Sequence, residues 1–245
     1  MEMCYNEAKK IREDSFFVKL LFFDMEFADG KVPGSIYSLG YMMTDEDFAV
    51  LVPPTDLLIN PESTWNEYVE QNILAYPKEE VEASPSFAQR YEEIKRIFEE
   101  VDLAVGFSVG NDLRALRKDC ERYGLPVWSA EVLDTERLCR MLEEHKDAHG
   151  LAGYVRAWCG EEPDHQHRSD GDALATMMLL RAVCETKHVT PEMLWIAFPE
   201  CRSNCRSAEK ETAKKKSSRR GYRPRKKRSR GKGEAQQETA KPSKE

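Results

Sequence analysis

FFVKLLFFDMEF, Phe16–Phe27, is the stretch that decides the architecture. Residues 16–24 form a near-continuous apolar run, interrupted by Lys19 and closed by Asp24, the mark of a strand buried on both faces. The run is far short of the ~20 apolar residues that a bilayer-spanning helix needs. Downstream, Gly30–Gly34 supplies turn chemistry. Ser35–Met43 (SIYSLGYMM) and Phe48–Val52 (FAVLV) then read as two more strands, joined by the acidic turn Thr44–Asp47. Together the three form an antiparallel meander.

Prolines 53, 54 and 61 break that pattern and lead into a helix near Trp65–Leu74, followed by a polar loop over Pro77–Pro85. Phe87, Tyr91, Ile94 and Phe98 recur at helical spacing. Val101–Phe107 reads as a second buried strand, and Asn111–Tyr123 as a helix stopped by Gly124-Leu125-Pro126. Val127–Leu133 offers a short strand, and helices follow near Thr135–Glu144, Leu151–Cys159, Ser169–Glu185 and Pro191–Phe198. Ser169 or Asp170 is expected to cap the third of these. This order predicts an α/β fold: a mixed central sheet, meander first and parallel strands after, flanked by helices, with the strand ending at Asp24 in its centre.

Charge divides the chain. Residues 201–245 hold 17 Lys/Arg against 5 Asp/Glu, a net of +12, while the first 200 carry 20 against 39, a net of −19. The expectation is a folded acidic domain over 1–200 and a disordered basic tail over 201–245, the tail contacting nucleic acid. The N-terminus is charged and lacks a signal core, and the seven cysteines form no dense framework, so a reducing cytoplasm is the expected home. Cys201-x3-Cys205 is half of a zinc pattern without a second pair, and Cys159, His165 and His167 lack a fourth ligand.

Three Asp-x-Glu triplets occur: Asp24-Met25-Glu26, Asp119-Cys120-Glu121 and Asp134-Thr135-Glu136. The second falls inside a helix, where residues two apart diverge. The third sits at a helix start, where acids favour the dipole. Only the first ends a buried strand, where residues two apart share a side, about 6.6–6.8 Å apart along the backbone. Such a pair either points into solvent or converges on a divalent ion. Two later segments bear on that choice. In VDLAVGFSVGNDLRALR, Asp112 follows a buried strand and a glycine turn. In HRSDGDALAT, His167 precedes a helix whose first turn carries Asp172 and then small residues.

In this order, FFDMEF, VGFSVGNDLRAL and HRSDGDALAT resemble the three motifs of the DEDDh family of 3′–5′ exonucleases, over about Phe16 to Cys184. The His-x4-Asp spacing of the third is the most specific element and separates this branch from its tyrosine-using sister. Asp134-Thr135 resembles a structural pair that follows the second motif, and FFDMEFADG…IYSLGYMMTDEDF is similar to small stand-alone bacterial members. The resemblance implies a ribonuclease H-like fold and hydrolysis of DNA or RNA from the 3′ end, releasing nucleoside monophosphates. It makes Asp24, Glu26 and Asp172 direct ligands of two divalent ions, Mg²⁺ or Mn²⁺, with Asp112 binding the second and His167 acting as general base. Spacing to Asp172 favours His167 over His165. Phe27, Tyr37 and Tyr41 are candidates to stack on a terminal base or to pack in the core. A catalytically silent nucleic-acid adaptor is the competing function.

Overall fold

In the computed structural model, residues 19–32, 34–161 and 168–206 are described. Six strands form one mixed sheet in the order β3-β2-β1-β4-β5-β6. The meander is present as β1 (Lys19–Phe27), β2 (Ile36–Asp45) and β3 (Val50–Leu58), with both pairings antiparallel. Strand β4 (Leu103–Gly106) lies parallel to β1, and β5 (Glu131–Asp134) lies parallel to β4. The meander-then-parallel order read from the sequence is therefore correct, and β1 is an interior strand.

The apolar run of β1 divides by parity, because successive strand side chains point to opposite faces. Leu21, Phe23 and Met25 enter one core, against α3 (Phe87–Glu99) and α4 (Gly110–Tyr123). Leu20 and Phe22 enter the other, against α5 (Thr135–Leu142), α6 (Gly150–Cys159) and α7 (Ser169–Lys187). Asp24 and Glu26 continue the second parity and so face α7. Helix α1 (Glu67–Asn72) and α2 (Lys78–Ala83) form a smaller cluster with Tyr37 and Ala28, and α8 (Pro191–Ala197) follows α7.

Several expectations need correcting. Pro53 and Pro54 do not end the meander: β3 runs through them to Leu58. The strand is an edge, and its register slips where Tyr41 pairs with Thr55 but Met43 with Val52, leaving both prolines opposite Met42. An edge bulge is where a missing N–H is tolerated. The Pro77–Pro85 loop contains α2, whose single buried residue, Val81, leaves no readable period. Asp24 is not the last residue of its strand, which continues through Glu26 to Phe27.

The fold also continues past residue 200. Arg202–Asn204 forms β6, antiparallel to β5, and Cys201 and Cys205 are both fully buried. They enter the two different cores on opposite faces of the sheet, which removes the basis for a shared zinc. The polar leader, residues 16–18, the segment holding His165 and His167, and the basic tail from 207 lie outside the described residues. No helix among the described residues is long and apolar enough to cross a membrane.

Candidate active site

Asp24 and Glu26 sit two apart near the end of β1, opposite Gly40 and Ser38 of β2. Helix α7 crosses the sheet at Gly40 so closely that a Cβ there would fall 1.8 Å from the Ser169 carbonyl carbon. Only a residue with no side chain permits that approach. The crossing carries Asp172, on the first turn of α7, to the carboxylates of β1. One carboxylate oxygen each from Asp24, Glu26 and Asp172 lies within 4.8 Å of the others. The small residues after Asp172 do what their size suggested: Ala173, Ala175 and Thr176 are buried against the sheet.

Asp112 stands at the start of α4 and is 6% exposed. It is outside that three-oxygen group, yet it is the charge that acts most strongly on Asp24. Burial pushes the Asp112 carboxyl up to about 7, against the pull of its own and the Met25 backbone N–H groups. Burial and the charges of Asp172, Asp112 and Asp56 push Glu26 up to about 8. Asp24 is raised by burial and by Asp112, Glu26, Asp172 and Asp56 together. Carboxylates gathered in this way repel one another until a cation joins them. Hard oxygen donors without thiolate or imidazole in the described group suit a divalent ion such as Mg²⁺ or Mn²⁺.

The other triplets are structural, as their helical contexts implied. Asp119 accepts hydrogen bonds from the Ser35 and Ile36 backbone N–H groups (3.2 and 3.3 Å), anchoring the start of β2, and Glu121 pairs with Lys118 in solvent. Asp134 caps α5, accepting from Glu136 N and Arg137 N, and also holds Ser108 N at 3.1 Å. Thr135 Oγ1 donates to the Gly106 carbonyl at 3.0 Å, so Asp134-Thr135 is the structural pair expected.

The cap of α7 is a different matter. Its N-cap is Arg168, without a side-chain capping bond, and neither Ser169 nor Asp170 fills that role. Asp170 is engaged by Arg168 (Nε 3.1 Å, Nη2 3.0 Å), whose guanidinium lies over the Tyr76 ring. Ser169 Oγ donates instead to Asp56 Oδ1 at 2.6 Å. Asp56 also accepts the Ser38 hydroxyl and the Tyr76 phenol. Sequence reasoning missed this carboxylate. It sits in a segment dismissed for its prolines, and no local spacing links it to Ser169.

Of the aromatic candidates, Tyr37 is 1% exposed and packs against Trp65, which makes it core. Tyr41 is half-buried against the α3–α4 core. Phe27 lines a cleft with Val32, Gly34, Asn111, Arg114 and Ala115, beside Glu26 and Asp112 in the chain.

Solved structures that resemble the chain include one describing 3′-end specific recognition of the histone mRNA stem-loop by a 3′-exonuclease. It shares 9% identity at a TM-score of 0.60, covering 72% of this chain and 86% of that one. Exonuclease I matches at 18% identity and a TM-score of 0.61 over 74% of this chain, but only 43% of its own length. The nuclease domain of 3′hExo, a DEDDh family member bound to rAMP, matches at 10% identity and a TM-score of 0.57, with 71% and 94% covered. At such identities the likeness establishes the fold. No match was found among the sequences of curated proteins. The family profile decides the matter: it matches residues 21–180, from β1 into α7 and across all four carboxylates, and the chain belongs to the RNase T-type exonuclease family.

Proposed function

We propose that this protein removes nucleotides from the 3′ end of a DNA or RNA strand by hydrolysis, releasing nucleoside monophosphates. The observation that carries this reading is the convergence of Asp24, Glu26 and Asp172, with Asp112 beside them, inside an exonuclease-family fold. Asp24, Glu26 and Asp172 would hold two divalent ions, Mg²⁺ or Mn²⁺, and Asp112 would contribute to the second. Bound there, the ions supply Lewis-acid stabilisation of the attacking and leaving oxygens of an in-line displacement. His167, five residues before Asp172, is the general base for the attacking water, since an imidazole of unperturbed pKa ~6.5 accepts a proton near neutrality. The basic tail retains the strand through phosphate contacts. All four carboxylates are present, which argues against a silent adaptor.

A 5′-labelled single strand incubated with Mn²⁺ tests the reading. Wild type should shorten it stepwise, stall on a 3′-blocked strand, and lose about 10²–10³-fold in rate as Asp24→Asn, on the scale of removing one preorganised electrostatic contact to the transition state. Shortening that survives Asp24→Asn, or cutting of the blocked strand at internal positions, refutes the assignment. Matched DNA and RNA strands run side by side give the substrate preference.

A further inference from the structure

We propose that Asp56 is a positioning residue for this reaction, holding the first turn of α7 in place so that Asp172 meets Asp24 and Glu26. The inference rests on the exonuclease reading above. Its foundation is a row across the sheet. Gly40 of β2 pairs with Asp24 of β1 on one side and with Asp56 of β3 on the other. Directly paired residues face the same side of a sheet. Two carboxylates therefore flank a gap with no side chain, and the backbone of Ser169 and Asp170 lies in that gap. On one flank Asp56 takes hold of α7 through Ser169 Oγ, at 2.6 Å. On the other, three residues further along the helix, Asp172 reaches Asp24 and Glu26.

The grip is made from three directions. Asp56 Oδ1 accepts from Ser38 and Ser169, whose hydroxyl oxygens are 2.5 Å apart, and Oδ2 accepts from Tyr76, in the segment between α1 and α2. Ser38 and Ser169 are each 1% exposed and lie within hydrogen-bond distance of each other, so losing the acceptor leaves one buried hydroxyl proton without a partner. A carboxylate suits the task because it only accepts, and here it faces three donors. Both of its oxygens are committed, and it lies outside the three-oxygen metal group among the described residues. Asp56 thus serves the ligand Asp172 from behind, as an outer partner whose loss costs a metal site 10–100-fold in affinity or activity.

Asp56→Ala and Ser169→Ala test this in the full chain by three measurements. Calorimetric titration with Mn²⁺ alone should show a 10–100-fold loss of affinity for Asp56→Ala and a smaller loss for Ser169→Ala. Turnover should fall at least tenfold in kcat, with KM for the strand within threefold and part of kcat recovered in excess Mn²⁺. Hydrogen exchange of the metal-free protein should show faster exchange from Asp172 onward in the first two turns of α7, with α4 unchanged. Wild-type Mn²⁺ affinity and exchange in Asp56→Ala overturn the proposal. So does a crippled Asp56→Ala beside a Ser169→Ala that behaves as wild type throughout, which would make Asp56 a metal ligand itself. If Asp56→Ala does not fold, Ser169→Ala decides by the same affinity and exchange criteria. A wild type inactive on every strand sinks the exonuclease reading, while the Mn²⁺ and exchange results still judge Asp56.

Discussion

Gly40→Ala places a single methyl group where the structure has no room for it. The added Cβ would sit 1.8 Å from the Ser169 carbonyl carbon and 2.1 Å from both Asp170 N and Ser169 O. Carbon contacts settle at about 3.5–4.0 Å, so the two backbones must separate by roughly 1.5–2 Å. Every opposing atom belongs to main chain, and no rotamer change can absorb the clash. The first turn of α7 must therefore lift from β2, taking Asp172 away from Asp24 and loosening Ser169 from Asp56. Overpacking of this kind costs about 1–3 kcal/mol, which for a domain of this size lowers Tm by several degrees. Misplacing a reacting group by about 1 Å costs on the order of 10²-fold in rate. The expected result is a folded protein with modestly lower Tm and at least 100-fold lower kcat on a labelled single strand. Gly153→Ala on α6 is the control, since its Cβ finds nothing nearer than 3.6 Å and the change favours helix. Gly40→Ala with turnover within threefold of wild type and an unchanged Tm would refute the argument that this crossing sets the site.

The carboxylate cluster makes stability depend on pH in a defined direction. Glu26 and Asp112 ionise near 8 and 7 in the fold, against 4.5 and 3.8 in an unfolded chain, so their stabilising protons are fully held below about 4 and lost as pH rises through 7 to 8. Wild type in EDTA should therefore melt at lower temperature at pH 8 than at pH 5.5, and Mn²⁺ should raise Tm more at pH 8; a metal-free Tm that climbs over this range contradicts it. Glu26→Gln should flatten the metal-free profile and weaken the Mn²⁺ response, and a profile as steep as wild type would show that Glu26 is not the titrating group. Asp134→Ala removes the acceptor for Glu136 N, Arg137 N and Ser108 N and should cost about 1–3 kcal/mol, read as a lower urea midpoint at unchanged slope. An unmoved midpoint would mean those N–H groups find other acceptors.

What the chain announces by itself is what local periodicity can carry. The near-continuous apolar run of β1 foretold a strand with a core on each face, and Leu20–Phe23 are divided between two cores. Phe87, Tyr91, Ile94 and Phe98 foretold the buried stripe of α3, and Gly124 the end of α4 in its left-handed conformation. Strand-end geometry separated Asp24 and Glu26 from two other triplets, because residues two apart share a side in a strand and diverge in a helix. The order of motifs then drew in Asp112 and Asp172. Beyond the reach of such reading were Asp56, Gly40 and β6. Asp56 lies 113 residues from the Ser169 hydroxyl it accepts, behind two prolines that a bulged edge strand tolerates. Gly40 reads as one more residue of a strand until a helix crosses it at contact distance. Arg202–Asn204 has no apolar pattern and is a strand only because β5 offers it an edge. A sequence records which face a residue takes within its own element, but register between strands and the crossing of α7 are settled when the elements pack. The four acids and their spacing were therefore legible in the chain, while the row Asp24–Gly40–Asp56 that brings Asp172 among them exists only in the folded sheet.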